Sequence, residues 1–202
     1  MKSTDRDVFF NLVKDQFCYG GKKYAKTNKK EATDILFERH THRWLVGTID
    51  KYTFRYANLE RERDLLKIAT YMYILWLKRG FHINSKGLGK VINTNVAMKT
   101  KYFPSFTSNV LHYTKLSKNT TKLELKYYAV ISRGSMAISK INFISNTMRV
   151  WSRKTFLKIT QSEIVDVFNA CYFEWLEKYS NVDEKKRDKD TWNELSKTLT
   201  TK

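Results

Sequence analysis

One carboxylate stands between Leu65 and Gln161. Over that stretch Glu124 faces seventeen lysines and arginines, so nearly half of the chain must fold without local acids to pair with its bases. Soluble surfaces usually intersperse both signs of charge. A chain that does not must borrow acids from elsewhere or leave its cations to an external anion. The whole sequence carries 38 bases against 20 acids, a formal charge of +18, whereas solubility needs a magnitude of only about 2 to 8 in a small domain. From Glu177 to Lys202 six acids mix with seven bases, so the positive field belongs to the body and not to the tail. At 42% hydrophobic and 14% aromatic the chain can bury a core, and its 202 residues fit one large domain.

Several chemistries are set aside by spacing alone. Cys18 and Cys171 lie far apart, which excludes a paired-cysteine metal or redox motif and leaves buried free thiols as the expectation. His40, His42, His82 and His112 do not repeat at metal-ligand spacing. The most apolar run, Ile68 to Leu77, is short of the roughly 20 residues that a membrane span needs. Asp5 and Asp7 precede any apolar stretch, which fits neither a secretory signal nor an acid-poor transit peptide. Lysine outnumbers arginine 27 to 11, and proline, glycine and alanine are scarce beside asparagine, tyrosine, phenylalanine and isoleucine. Such usage suggests an AT-rich genome, and the expectation is a mitochondrial, organelle-encoded protein.

Periodicity suggests the elements. Val8, Phe9, Leu12, Val13 and Phe17 recur at helical steps within Asp5 to Phe17. Gly20 to Lys30, GGKKYAKTNKK, reads as a flexible basic arm broken by two glycines. Glu31 to His40 suits a short helix, and His42 to Phe54 alternates imperfectly as a buried strand. The clearest helix follows, with Asn58 as a cap, Glu60, Glu62 and Asp64 near its positive end, and Lys78 and Arg79 before Gly80. Its interior, LLKIATYMYILWL, is apolar on most faces and should be sandwiched by other elements. Residues 81–104 form a basic loop, Asn109 to Ser117 a strand, Thr120 to Ile131 a second helix, and Ile138 to Phe143 another strand. Thr160 with Glu163 opens a capping box for a closing helix through Ile164, Phe168, Cys171, Trp175 and Tyr179. Beyond Asn181 the chain reads as a solvated tail.

Catalysis of phosphate chemistry needs carboxylates converging on metal or a phosphate-binding glycine loop. Neither Gly20-Gly21-Lys22 nor Gly87-Leu88-Gly89-Lys90 has that spacing. The enzyme alternative places Glu31, Asp34 and Glu38 on one helix and Glu60 with Asp64 on another. That arrangement resembles the all-helical, magnesium-dependent nucleoside-triphosphate pyrophosphohydrolases, here of phage origin. The binding alternative rests on lysines and arginines that neutralise phosphates. They are Lys22, Lys23, Lys26, Lys29 and Lys30 in the arm, Lys86, Lys90, Lys99 and Lys101 in the loop, then Lys115, Lys118, Lys122, Arg149, Arg153 and Lys154. Tyr24, Tyr102, Phe103, Phe106, Tyr113 and Trp151 are interleaved with them and offer faces on which unpaired bases stack.

The order of segments over residues 43 to 140 resembles the small-subunit ribosomal protein ten family. RWLVGTIDKY looks like its first strand, NLERERDLLKIATYMYILWLKRGF like its first helix, the basic stretch to KYFP like its RNA-penetrating loop, and NVLHYTKLSKNTTKLELKYYAVIS like its next strand and second helix. LKYYAVISRGSMAISKINFISNTMRV weakly resembles small-subunit ribosomal protein eight. The resemblance implies an α+β, ferredoxin-like core of strand, helix, strand and helix. The expectation is therefore an N-terminal helical extension with its basic arm over 1–41, an α+β RNA-binding core over 42–159 with a basic loop at 81–104, and a closing helix with charged tail over 160–202. It would be a non-catalytic constituent of a small ribosomal subunit, binding ribosomal RNA and neighbouring ribosomal proteins. No cofactor, metal, membrane or small-molecule substrate is expected.

Overall fold

The computed structural model describes residues 5–24, 32–83, 99–116 and 139–181. Among them the elements are all helical: α1 (Asp5–Tyr24), α2 (Ala32–Leu59), α3 (Glu62–Lys78), α4 (Phe103–Leu116), α5 (Lys140–Trp151), a 3-10 turn (Phe156–Lys158) and α6 (Gln161–Tyr179). No strand occurs among the described residues, so the ferredoxin-like α+β core is corrected to an all-helical one.

Each expected strand fails for the same physical reason. In the segment 42–54 the buried residues are His42, Leu45, Val46, Ile49 and Thr53, continued by Tyr56, which is a helical stripe and not an alternation. The β-branched residues there favour strands only weakly. Thr48 and Thr53 donate their hydroxyls to the carbonyls of Trp44 (2.8 Å) and Ile49 (2.9 Å), one turn back along the helix. Between 109 and 117 the chain continues a helix begun at Phe103, burying Phe103, Phe106 and Val110, with Pro104 in the first turn where its missing N–H costs nothing. Of the expected strand 138–143, Ile138 lies outside the described residues and the rest opens α5, where Ser139 accepts the Asn142 amide at 3.2 Å and Ile141, Ile144, Met148 and Trp151 face inward. The glycines of the expected basic arm lie inside α1. The expected second helix at 120–131 lies outside the described residues.

The helices expected from the apolar run before Gly80 and from the capping box at Thr160 are present as α3 and α6. Thirteen of the seventeen residues of α3 are buried, and it packs against α6, α2 and α1. Arg79 and Gly80, with φ at 76°, end it. Asn58, expected as its cap, instead closes the last turn of α2, donating to the Phe54 carbonyl at 2.7 Å. Thr160 and Glu163 form the capping box in both directions, at 3.3 Å and 2.8 Å. Phe9, Leu12, Val13 and Phe17 of α1 join the same core as Phe106 of α4 and Phe168 and Trp175 of α6. Phe106 meets Tyr73, Trp76 and Phe168 with ring centroids 5.0 to 5.5 Å apart, each such pair adding about 0.5–1.5 kcal/mol beyond area burial.

Polar braces fix how the helices meet. Asp34, near the start of α2, is buried and binds the ammonium of Lys78 at the end of α3 and that of Lys99, whose Nζ lies 3.0 and 3.1 Å from the two carboxylate oxygens. Arg79 donates to the carbonyls of Ile159 (2.9 Å) and Leu157 (3.0 Å), tying the 3-10 turn to the end of α3. Trp175 donates to Glu62 at 2.7 Å, and Tyr56 to Glu174 at 3.2 Å, joining α6 to the corner between α2 and α3. Within α2, Thr41 adopts φ 58° and ψ −158°, a bend that splits the helix. His42 then donates from Nε2 to the Lys154 carbonyl at 2.9 Å. Among the described residues no helix is long and apolar enough to cross a membrane.

Replacing Asp34 by Ala leaves two buried ammoniums without their shared carboxylate and should lower unfolding free energy by about 3–5 kcal/mol in urea titrations. Thr160→Ala removes one cap and should lower it by about 1 kcal/mol. Equal losses in the two variants would show that the carboxylate is no brace.

Candidate nucleic-acid interface

The corner of two residues between α2 and α3 sends the helices back along each other, and bases one turn apart on each come face to face. Lys51 and Arg55 lie on α2, Arg63 and Lys67 on α3. Between them Tyr52 and Tyr71 stack with centroids 6.0 Å apart and planes 19° from parallel, and Trp44 meets the edge of Tyr71 at 6.1 Å. The ammoniums of Lys51 and Lys67 each sit 4.7 Å from the centre of the Tyr52 ring, the Arg55 guanidinium 5.8 Å from it, and Arg63 lies 5.7 Å from Tyr19 of α1.

Tyr52, Arg63, Lys67 and Tyr71 of this group line an open cleft, and Lys51 and Arg55 lie outside its lining. Arg63, Lys67 and Tyr71 line one wall and Tyr52 another, while Gly20 and Gly21 of α1 and Ala32 and Thr33 of α2 form the rim. Asp64 is the acid beside the cluster, buried, with Arg55 Nε 3.4 Å away. Among the described residues neither Lys51 nor Lys67 makes an ion pair. Burial first, and then the Arg63 guanidinium, pull the Lys67 ammonium down to about 8; Asp64 opposes this, and Arg55 and Lys51 add to the fall. Cations held on tyrosine faces gain only about 0.5–1 kcal/mol each at exposed sites. A phosphate would relieve their mutual repulsion and offer charge-assisted hydrogen bonds in exchange.

The structure disperses the bases named from the sequence. Lys99 is buried against Asp34 and braces the fold, which corrects its place on a basic loop surface. Lys101 is exposed just before α4. Arg149 and Arg153 are exposed at and beyond the end of α5, and Lys154 pairs with Glu163 at 2.6 Å. None of these lines the cleft. Lys22 and Lys23 fall in the last turn of α1 and Lys115 in that of α4, placed by backbone alone. Lys26, Lys29, Lys30, Lys86, Lys90, Lys118 and Lys122 lie outside the described residues. Of the aromatics, Phe103, Phe106 and Trp151 are core, while Tyr102 and Tyr113 are partly buried.

Of the carboxylates of the enzyme alternative, Glu31 lies outside the described residues and the others do not converge. Asp34 is enclosed by two lysines, Glu38 is exposed, Glu60 lies 2.5 Å from Lys178 and Asp64 is beside Arg55. Among the described residues no three histidine, cysteine, aspartate or glutamate side chains are grouped to hold a metal ion. Lys51, Tyr52, Arg63, Lys67 and Tyr71 were not singled out from the sequence. Their signal was present as two pairs of bases spaced i, i+4 on either side of a short corner, but it is visible only once residues 42–54 are taken as helix.

No family model, curated protein or solved structure matches this chain.

The Lys67 ammonium should titrate with a midpoint near 8 when followed by NMR of its ε-carbon. Arg63→Gln removes the main charge that lowers it and should move the midpoint upward. Because the native value lies below the ordinary lysine value of 10.5, the unfolded chain holds the extra proton between those two pH values. Stability should therefore rise with pH across that window, the destabilisation from this group being full and constant below it and lost above it. A midpoint at the ordinary lysine value would remove the evidence for cation crowding.

Proposed function

We propose that this chain is a non-catalytic RNA-binding protein of a ribonucleoprotein, with the small ribosomal subunit of a mitochondrion as the assembly we favour. The reading no longer leans on the ribosomal protein ten pattern, since the segments that resemble its strands are helices. One observation carries it: several of the acids are taken up by bases of the chain itself, and the cations still far outnumber the acids that remain. Asp34 faces two lysines, and Glu60, Asp64, Glu163, Glu174 and Glu177 each lie against a lysine or arginine. With a net charge of +18, the surplus has no acid of this chain to meet.

A polyanion supplies the missing partner. Each phosphate neutralised releases condensed counterions, which makes affinity fall with salt. The Lys51, Arg55, Arg63 and Lys67 group supports the reading because its repulsion is borne in the free protein and relieved on binding. In sequence, the stretch that leaves the cleft rim at Gly21 and returns at Ala32 carries Lys22, Lys23, Lys26, Lys29 and Lys30. The pyrophosphohydrolase alternative shares the all-helical class but has no observation of its own in favour.

Purified full-length protein should bind folded ribosomal RNA with an affinity that drops steeply with salt. The slope of log affinity against log salt should be several units, about 0.7–0.9 per phosphate contacted. An affinity unchanged between low and high salt would sink the reading, as would magnesium-dependent release of pyrophosphate from nucleotides by the same preparation.

A further inference from the structure

We propose that the cleft between α1, α2 and α3 takes a single nucleotide unit of an unpaired RNA strand, its phosphate held by Arg63 and Lys67 of the cleft wall with Lys51 beside them, and its base stacked on Tyr52. This rests on the RNA-binding reading and gives it a place and a preference for single strands.

Three features of the cleft point to phosphate and base together. First, Lys51 and Lys67 face an aromatic ring where an anion would serve them better, and each is 4.7 Å from the centre of Tyr52. Second, the rings that hold these cations are themselves partly exposed and stacked at 19°. When phosphate draws the ammoniums off, the Tyr52 face they cover is freed beside it. Base stacking on such a face is tolerant of sequence and adds about 1–3 kcal/mol per base. Third, the site is concave, an open cleft lined by Tyr52, Arg63, Lys67 and Tyr71. An open cleft of this kind can take an unpaired strand laid along it, whereas a duplex has its bases already stacked on each other and offers none to a tyrosine face.

Lys67 gives the site a pH signature. Facing it are Arg63 and Asp64 from α3 and Lys51 and Arg55 from α2, with Tyr52 beneath its ammonium. A bound phosphate favours the protonated amine, so binding should take up a proton above the free value and affinity should fall as pH rises past it.

The test uses the full chain and fluorescein-labelled decauridylate, followed by anisotropy, with a uridine–adenosine duplex of the same length and free uridine monophosphate as competitors. Decauridylate should bind at least tenfold more tightly than the duplex, and the mononucleotide should compete weakly. Lys67→Met keeps the apolar stem and removes the charge. It should weaken decauridylate binding about tenfold and reduce the salt slope by about one unit. Tyr52→Leu should weaken it by a similar factor with the slope unchanged, and Tyr52→Phe should restore it. In the unaltered protein, 5-iodouridine in the strand should cross-link within residues 52–71, a readout independent of any variant's folding. Equal affinity for duplex and single strand, tight binding of the mononucleotide alone, or cross-links only elsewhere would overturn the proposal. If these fail while folded RNA still binds with a steep salt slope, only the cleft is wrong; loss of all salt-dependent binding defeats the broader reading as well.

Discussion

A single buried carboxylate holds three distant parts of this chain in register. Asp34 reaches Lys78 across 44 residues of sequence and Lys99 across 65, so the start of α2, the end of α3 and the approach to α4 converge on it. Charges taken out of water are tolerated only when paired and hydrogen-bonded, which makes this junction intolerant of other arrangements. It sits beside Phe37, whose ring lies 5.1 Å from the Lys78 ammonium, and near Tyr73, whose hydroxyl donates to the Lys99 carbonyl. Once α3 is fixed in this way, its two flanks are free to receive α6 and α1, and the aromatic core closes around it.

The same economy of acids shapes the surface. A chain with few carboxylates places several of them where they organise helices: Asp34 inside, Glu62 and Glu174 at the corner of α2 and α3, Glu163 at the start of α6. What remains outside is cationic by default. The cleft is where that excess becomes concentrated, because two consecutive helices turn matching faces toward each other around a pair of tyrosines. Fold and proposed interface are thus two results of one imbalance.

Sequence reading succeeded where a local signal and the tertiary environment agree. The box of Thr160 and Glu163 is specific chemistry, and α6 starts there; the run from Leu65 to Leu77 is apolar on nearly every face, and α3 is central. It failed where an imperfect alternation over 42–54 stood in for the helical burial period. Val46, Thr48, Ile49 and Thr53 pulled 42–54 toward a strand, while their partners Leu45 and Tyr56 complete a helical stripe. The likeness to a ribosomal family reinforced that choice by supplying a strand where one was wanted. With α2 misassigned, Lys51 and Arg55 fell on no common face with Arg63 and Lys67, and the cleft was invisible. Lys99 was unreadable for another reason. Nothing in its neighbourhood of residues announces an aspartate 65 positions earlier, and a lysine in a basic stretch looks like surface.

The crowding around Lys67 also bears on its reactivity as an amine. Only the neutral form of a lysine attacks electrophiles. With its midpoint at about 8, a substantial minority of Lys67 side chains carry a lone pair near neutral pH. The free-base fraction exceeds that of an ordinary surface lysine by roughly a few hundredfold. Among the lysines of the described residues, acylating reagents and acyl donors would therefore meet Lys67 as a preferred nucleophile, on the wall of the cleft.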